Sequence, residues 1–259
     1  MNIKVLVAAH KKFPMPVNRA LYLPILVGAV YNYAPGIDYQ RDDDGENISG
    51  KNPNYNELTA IYWAWKNLKN ADVIGLVHYR RYFFKKRSRD IKDILSLEDI
   101  QKLLVKNDVI LPFKRHYYIE TNYSHYVHAH ESLPLLETRK IIENMYPEYL
   151  NSFDLVMGRR SAHMFNMFIM KRPVFNKYCE WLFGVLGALE KRIDISNFSK
   201  QEARVFGYIS ELLMDVWIQK NNPSYSECRW EQLGKRKIIS KMFFFIVRKI
   251  GFRRGRTHF

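Results

Sequence analysis

The chain has 259 residues, 41 Lys and Arg against 26 Asp and Glu, and a formal charge of +15, with 47% hydrophobic and 15% aromatic residues. That composition excludes a disordered chain and leaves room for one large domain. Two cysteines, Cys179 and Cys228, exclude a disulfide framework and a four-cysteine zinc site. No run of 18 apolar residues is present, and the first residues lack the long apolar core and cleavage site of a signal peptide. The expectation is a protein held on the cytoplasmic side.

In chain order, Ile3–Ala9 reads as a buried strand ending at His10. Pro14, Pro16 and Pro24 predict an irregular stretch, and the polar run from Tyr39 to Pro53 predicts a loop. Leu58, Ile61, Tyr62, Trp65 and Leu68 fall at helical spacing and predict an amphipathic helix over Asn56–Leu68. Asp72–Val77 is a second buried strand, ending in His78-Tyr79-Arg80-Arg81. Ser96, with Asp99 three residues on, predicts a capped helix to Val105, and Asp108–Leu111 a third strand stopped by Pro112. Leu133–Tyr149 reads as mostly helix, Met164–Met170 as a strand, and Val174–Lys191 and Gln201–Trp217 as helices. Strands alternating with helices predict an α/β fold with a mostly parallel central sheet. Trp63, Trp65, Trp181 and Trp217 lie on predicted helices, where core packing is the default.

The charge is uneven. Nine basic and no acidic residues fall between Lys235 and Phe259, and without those nine the body carries 32 basic against 26 acidic residues, or +6. Phe243, Ile246, Val247 and Ile250 occupy one helical face within that tail. The pattern predicts one domain over residues 1–234 and a helical basic tail over 235–259 that lies on an anionic membrane. A packed C-terminal helix and a nucleic-acid-binding tail are the alternatives.

Several motifs carry chemistry. Asp42-Asp43-Asp44-Gly45 resembles a calcium loop, but with Gly45 at position six the twelfth residue is Lys51 rather than Glu. Solvent, a basic partner or a divalent cation remain the ways to offset three adjacent acids. His78, Arg80 and Arg81 stand at a strand's carboxyl end, where open α/β sheets bind ligands, and guanidinium groups suit phosphate. A surface charge pair is the plainer reading. His125, His128 and His130 suggest a metal, although separate polar or packing roles are the default. No P-loop, G-x-G-x-x-G or G-x-S-x-G pattern is present.

The run GENISGKNPNYNELTAIYWAWKNL, followed by DVIGLVHYRRYF, resembles the signature of a bacterial family from capsule and O-antigen loci, formerly a domain of unknown function and now associated with glycosyltransferases, galactofuranosyltransferases included. VAAHKK, NMFIMKRPVFNKYCEWLF and ARVFGYISELLMDVW extend the resemblance over about residues 1–220. It implies a GT-A-like nucleotide-sugar-binding sandwich. It also implies transfer of a sugar, galactofuranose being the example, from a uridine diphosphate (UDP) donor to a lipid-linked oligosaccharide on the inner face of the cell membrane.

On the resemblance, the donor is expected against Ala8, Ala9 and His10 and the loop residues Asp42, Asp43, Asn47, Ser49, Lys51 and Asn52. HYRR stands where the family's fold usually carries a metal-binding D-x-D. Arg80 and Arg81, with His78, are therefore expected to neutralise the diphosphate, and Mn2+ or Mg2+ on Asp42 and Asp44 stays open. Glu211 is the expected base of an inverting transfer, and Asn166 an expected contact to acceptor hydroxyls. The alternative is a nucleic-acid-binding protein or membrane scaffold without catalysis; a nucleic-acid partner is not expected, because the excess charge sits in the tail.

Overall fold

The computed structural model describes residues 1–233, so the predicted basic tail lies outside the described residues. The strands and helices, in order, are β1 Ile3–Ala9, β2 Tyr22–Leu26, α1 Ala29–Asn32, β3 Gln40–Arg41, α2 Asn52–Tyr55, α3 Leu58–Asn67, β4 Val73–His78, β5 Arg81–Phe83, α4 Leu97–Lys106, β6 Val109–Pro112 and β7 Arg115–His116. They continue with α5 Asn122–Ala129, α6 Leu133–Met145, α7 Leu150–Gly158, β8 Ser161–Ala162, β9 Phe168–Lys171, α8 Arg172–Glu190, α9 Val205–Asn221, β10 Tyr225–Cys228 and β11 Trp230–Gln232.

The main sheet runs β10-β6-β9-β4-β1-β2-β3, with β5 and β11 branching from β4. β1, β2, β3 and β4 are mutually parallel, as are β6 and β10, while β9 runs antiparallel between β4 and β6. The fold is therefore mixed α/β with a mostly parallel centre, as the alternating pattern predicts. Both faces of the sheet are covered. Leu6, Ile74, Leu76, Phe168 and Met170 pack with α3, α8 and α9 on one side. Val5, Val7, Val73, Val77 and Ile169 pack with α4 and the Tyr82–Phe84 segment on the other. Burial on both faces explains why β1 and β4 read as continuous apolar runs rather than alternating ones.

Several elements depart from the sequence expectation. Tyr22–Leu26 is a strand despite Pro24. Val27 donates to the Ala9 carbonyl, so odd-numbered residues of β2 face β1. Pro24 faces the other edge, where β3 pairs only with Ile25 and Leu26, and its missing N–H leaves no gap in the ladder. The predicted Met164–Met170 strand begins only at Phe168, because Phe165 and Asn166 hold positive φ values of 74° and 53°. The predicted Leu133–Tyr149 helix stops at Met145 ahead of Pro147, and helices α5 and α7 are additional to those expected. The Ser96–Asp99 capping box on α4 forms as expected, with both reciprocal bonds present.

β4 and β9 approach closely at Gly75. A Cβ there would stand 2.8 Å from Ile169 Cγ1 and 3.0 Å from the Phe168 carbonyl oxygen. Neither neighbour can withdraw, since Ile169 is fully buried and the carbonyl belongs to a paired strand. Gly75→Ala is expected to cost about 1–3 kcal/mol. Urea denaturation reads this as a lower midpoint at unchanged slope.

Candidate active site

A cleft of about 730 Å³ opens beyond the carboxyl ends of β1 and β4. Ala8, Ala9 and His10 from β1, and His78, Tyr79 and Arg81 from β4 and the start of β5, form one wall. The segment from Asn52 to Glu57 forms a second, and Lys200 to Leu212, leading into α9, a third. Tyr117, His125 and His130 close the far end.

Glu57 reaches the cleft because Asn56, at φ 52°, breaks the chain between α2 and α3. Asn56 is held in turn by Arg204, whose Nε donates to its Oδ1 at 2.8 Å. Gly207 makes room for this, since a Cβ there would collide with the Asn56 amide.

Glu211 projects from α9 into the same space. Burial, with the Glu57 carboxylate next, pushes its proton affinity up to about 7, against the Phe165 amide, Arg81 and Arg204, which favour the charged form. Arg81 lies with its guanidinium 4.3 Å from the Phe165 ring centre. Burial lowers its pKa, and the Glu211 and Glu57 carboxylates oppose that shift. Its buried Nε has no partner. His78 donates from Nε2 to the Phe165 carbonyl at 2.6 Å, a carbonyl being able only to accept. Burial holds its pKa below the usual imidazole value, with Arg81 adding to the shift and Glu57 opposing it. His10 is lowered too, by burial and then by Lys11, Arg80 and Arg204. The cleft therefore holds two imidazoles, His10 and His78, whose burial disfavours the charged form, a desolvated guanidinium, and a carboxyl that exchanges its proton near neutral pH.

Ala8, Ala9, His10, Asn52, His78, Arg81 and Glu211 are thus brought together, as the sequence suggests. The other expected residues are not. Asp42 is fully buried, and its oxygens accept from the Gly28 and Ala29 amides at 2.7 and 2.9 Å and from Ser49 Oγ. Asp43 is clamped by Arg41, which holds its carboxyl below the usual range, and Asp44 accepts from Gln40 at 2.8 Å. Asn47 ties the loop through the Asp43 and Gly45 carbonyls, and Lys51 pairs with Glu190 at 2.7 Å. The Asp42–Asn47 loop is a structural knot that orients α1. Asp42 and Asp43 have their oxygens engaged by protein groups, Asp44 accepts through one oxygen only, and the three acids do not form a group that could hold Mn2+ or Mg2+.

Arg80 is exposed outside the cleft, over the Tyr79 and Phe13 rings. Asn166 is 2% exposed and faces Glu57 and Ser210 rather than open space. Glu120 accepts from His125 Nδ1 at 2.7 Å and from His128 Nδ1 at 3.0 Å, while His130 stacks on Tyr208 with ring centres 4.1 Å apart. Two of the three histidines thus share one carboxylate and the third packs on a ring, and among the described residues no group of three potential ligands converges on a metal. Trp63, Trp181 and Trp217 are buried in the core. No helix among the described residues is long and apolar enough to cross a membrane.

Glu57, Arg204, Tyr117 and Tyr208 are cleft residues that the sequence reasoning did not assign. Glu57 sits inside the quoted NYNELTAIY run, so its signal was present but read as helix.

Comparison with known proteins follows the same outline. The solved apo structure of WbbM, a bifunctional glycosyltransferase, superposes with a TM-score of 0.82 at 32% identity, covering 91% of this chain and 46% of that one. The chain thus spans about half the length of the protein it matches. No curated protein matches. The model of the family described as domain of unknown function (DUF4422) matches residues 4–222, which is most of the chain and includes every cleft residue named above. The chain belongs to the DUF4422 family.

Proposed function

We propose that the chain is a glycosyltransferase that moves a sugar from a nucleoside diphosphate donor to an acceptor hydroxyl, with inversion at the anomeric carbon. The observation that carries the reading is the pairing of Arg81 with Glu211 in one cleft at the strand ends. The likeness to a bifunctional glycosyltransferase supports it. The nucleotide occupies the end lined by Ala8, Ala9, His10 and Asn52. Its diphosphate faces the Arg81 guanidinium, a fork of donors suited to phosphate oxygens.

Glu211, once ionised, takes the proton of the acceptor hydroxyl. The hydroxyl oxygen forms the new bond to the anomeric carbon from the opposite face. The donor's carbon–oxygen bond breaks, and its electron pair leaves on the diphosphate, where Arg81 balances the charge. No step passes through a metal, since the loop acids do not fit one. The donor of this reading is UDP-galactofuranose and the acceptor a lipid-linked oligosaccharide of capsule or O-antigen synthesis.

Thermal-shift titration tests donor binding. UDP is expected to raise Tm, because it binds only the folded state, and to do so equally with and without Mn2+. No shift at millimolar UDP removes the nucleotide-sugar reading, and a shift that requires Mn2+ restores a cation. Transfer assays with UDP-galactofuranose against UDP-galactopyranose then fix the sugar.

The same reading gives the basic tail a task. A peripheral location on the inner membrane face raises the effective concentration of a lipid-linked acceptor. Ending the chain after Gly234 is expected to abolish sedimentation with anionic liposomes while leaving turnover on a soluble acceptor intact. Unchanged liposome binding removes the tail from the proposal.

A further inference from the structure

Two consecutive non-glycine residues, Phe165 and Asn166, hold φ values of 74° and 53°. This is costly for side chains with a Cβ, and such strain persists only where the surroundings impose it. The turn borders the cleft and touches four of its chemical groups, His78, Glu211, Arg81 and Glu57. The Phe165 carbonyl accepts from His78 Nε2 at 2.6 Å. The Phe165 amide binds the Glu211 carboxylate. The Phe165 ring lies under the Arg81 guanidinium and meets Trp230 edge-on, with centroids 4.6 Å apart. Asn166 Nδ2 donates to Glu57 Oε1 at 2.7 Å, and its Oδ1 accepts from Ser210 Oγ at 2.9 Å, one residue before Glu211. Asn166 is 2% exposed, so these bonds are not shared with bulk water.

We propose that the Phe165–Asn166 turn is the positioning element of the site: its backbone fixes His78 and Glu211, and the Asn166 amide holds the Glu57 side chain beside Glu211. The inference rests on the reading of Glu211 as the base. Asn166 is a positioning residue and not a sugar contact, because its amide is engaged on both sides by protein groups. Glu57 supplies the repulsion that keeps Glu211 a competent proton acceptor near neutral pH. The other groups facing Glu211 are Arg81 from β5, Arg204 ahead of α9, Arg115 from β7, and the Tyr117 and Tyr208 hydroxyls. The three cations oppose Glu57. An ordinary turn would connect β8 to β9 without strain; this one brings a carbonyl, an amide and a side chain to bear on different functional groups.

Two substitutions separate positioning from mere chain reversal. Asn166→Gly suits the positive φ but gives up the buried bonds to Glu57, Gly207 and Ser210, so Tm is expected to fall modestly while the chain still reverses. Releasing Glu57 is expected to lower kcat by roughly tenfold to a hundredfold, with donor KM unchanged. Asn166→Asp keeps the shape and adds a like charge. It is expected to move the acid limb of the pH–kcat profile upward by about one unit. Titration of the glutamate side-chain carboxyl carbons by 13C NMR, in the intact protein without substrate, reads the same movement for Glu211.

Wild-type kcat and an unmoved Glu211 titration in both variants would overturn the proposal. If wild type consumes no sugar nucleotide, or Glu211→Gln retains full turnover, the glycosyltransferase reading fails instead. The NMR titration then still decides whether Asn166 controls Glu211.

Discussion

Glu211→Gln is expected to lower kcat by about 10²–10⁴-fold, the contribution of a positioned general base. UDP binding should be unchanged or slightly tighter, because the neutral amide removes a carboxylate from beside the diphosphate. Wild-type kcat should rise with pH through about 7 and then level, since only ionised Glu211 accepts the acceptor's proton. The residual rate of the variant should lack that limb.

The same shift has a consequence for stability. The folded carboxyl binds its proton more tightly than the unfolded one. Between the ordinary carboxylate range and about 7 the native state therefore holds more protons, and stability falls as pH rises through that window. Glu211→Gln abolishes this penalty. Its Tm should exceed that of wild type at pH 8 and approach it at pH 5. A variant that loses activity and is also less stable at pH 8 would indicate a structural role instead.

Arg81→Ala is the second large effect. A charge-assisted hydrogen bond contributes about 1.5–3 kcal/mol, so UDP affinity should fall about tenfold to more than a hundredfold, while uridine, which lacks the diphosphate, binds as before. The substitution also removes a cation that stabilises ionised Glu211, and the acid limb of the pH profile should move upward. Arg81→Lys should recover only part of the affinity, because an ammonium lacks the planar fork. Arg80→Ala is the control. Its side chain lies outside the cleft on the Tyr79 and Phe13 rings, and its loss should change UDP affinity far less. Calorimetric titration of the three variants with UDP and with uridine separates these outcomes. Equal losses for Arg80 and Arg81 would place the diphosphate outside the cleft.

What the sequence revealed, and what it hid, follow from the range of the forces involved. β1 and β4 were legible because strands covered on both faces are continuous apolar runs, and α4 because its cap is written in Ser96 and Asp99. The place of His78 and Arg81 in the cleft was legible because a strand end is a local property. Pro24 misled because its tolerance depends on which edge β3 occupies, a fact about strand partners. Asp42 misled for a similar reason. Three consecutive acids look available, yet the Gly28 and Ala29 amides come from another segment and occupy the first of them. Glu57 and Arg204 were illegible as site residues because they reach the cleft through a contact between Asn56 and α9, some 150 positions away. The antiparallel course of β9 has no local signal at all, since an apolar tetrapeptide reads the same in either direction.

That antiparallel strand also bears on how the protein is made. β9 fills the slot between β4 and β6, so the two flanking strands have no common partner until Lys171 has left the ribosome. At roughly 5–20 residues per second, the stretch from His78 to Lys171 takes about 5–20 s to synthesise. During that interval β1 to β4 can assemble as a parallel unit, but β4 presents a bare, mostly apolar edge of the kind that recruits other chains. The fold thus contains its own period of vulnerability, and chaperone demand should peak while the segment between β4 and β9 is emerging. Any change that slows translation there should lower soluble yield without altering the finished protein.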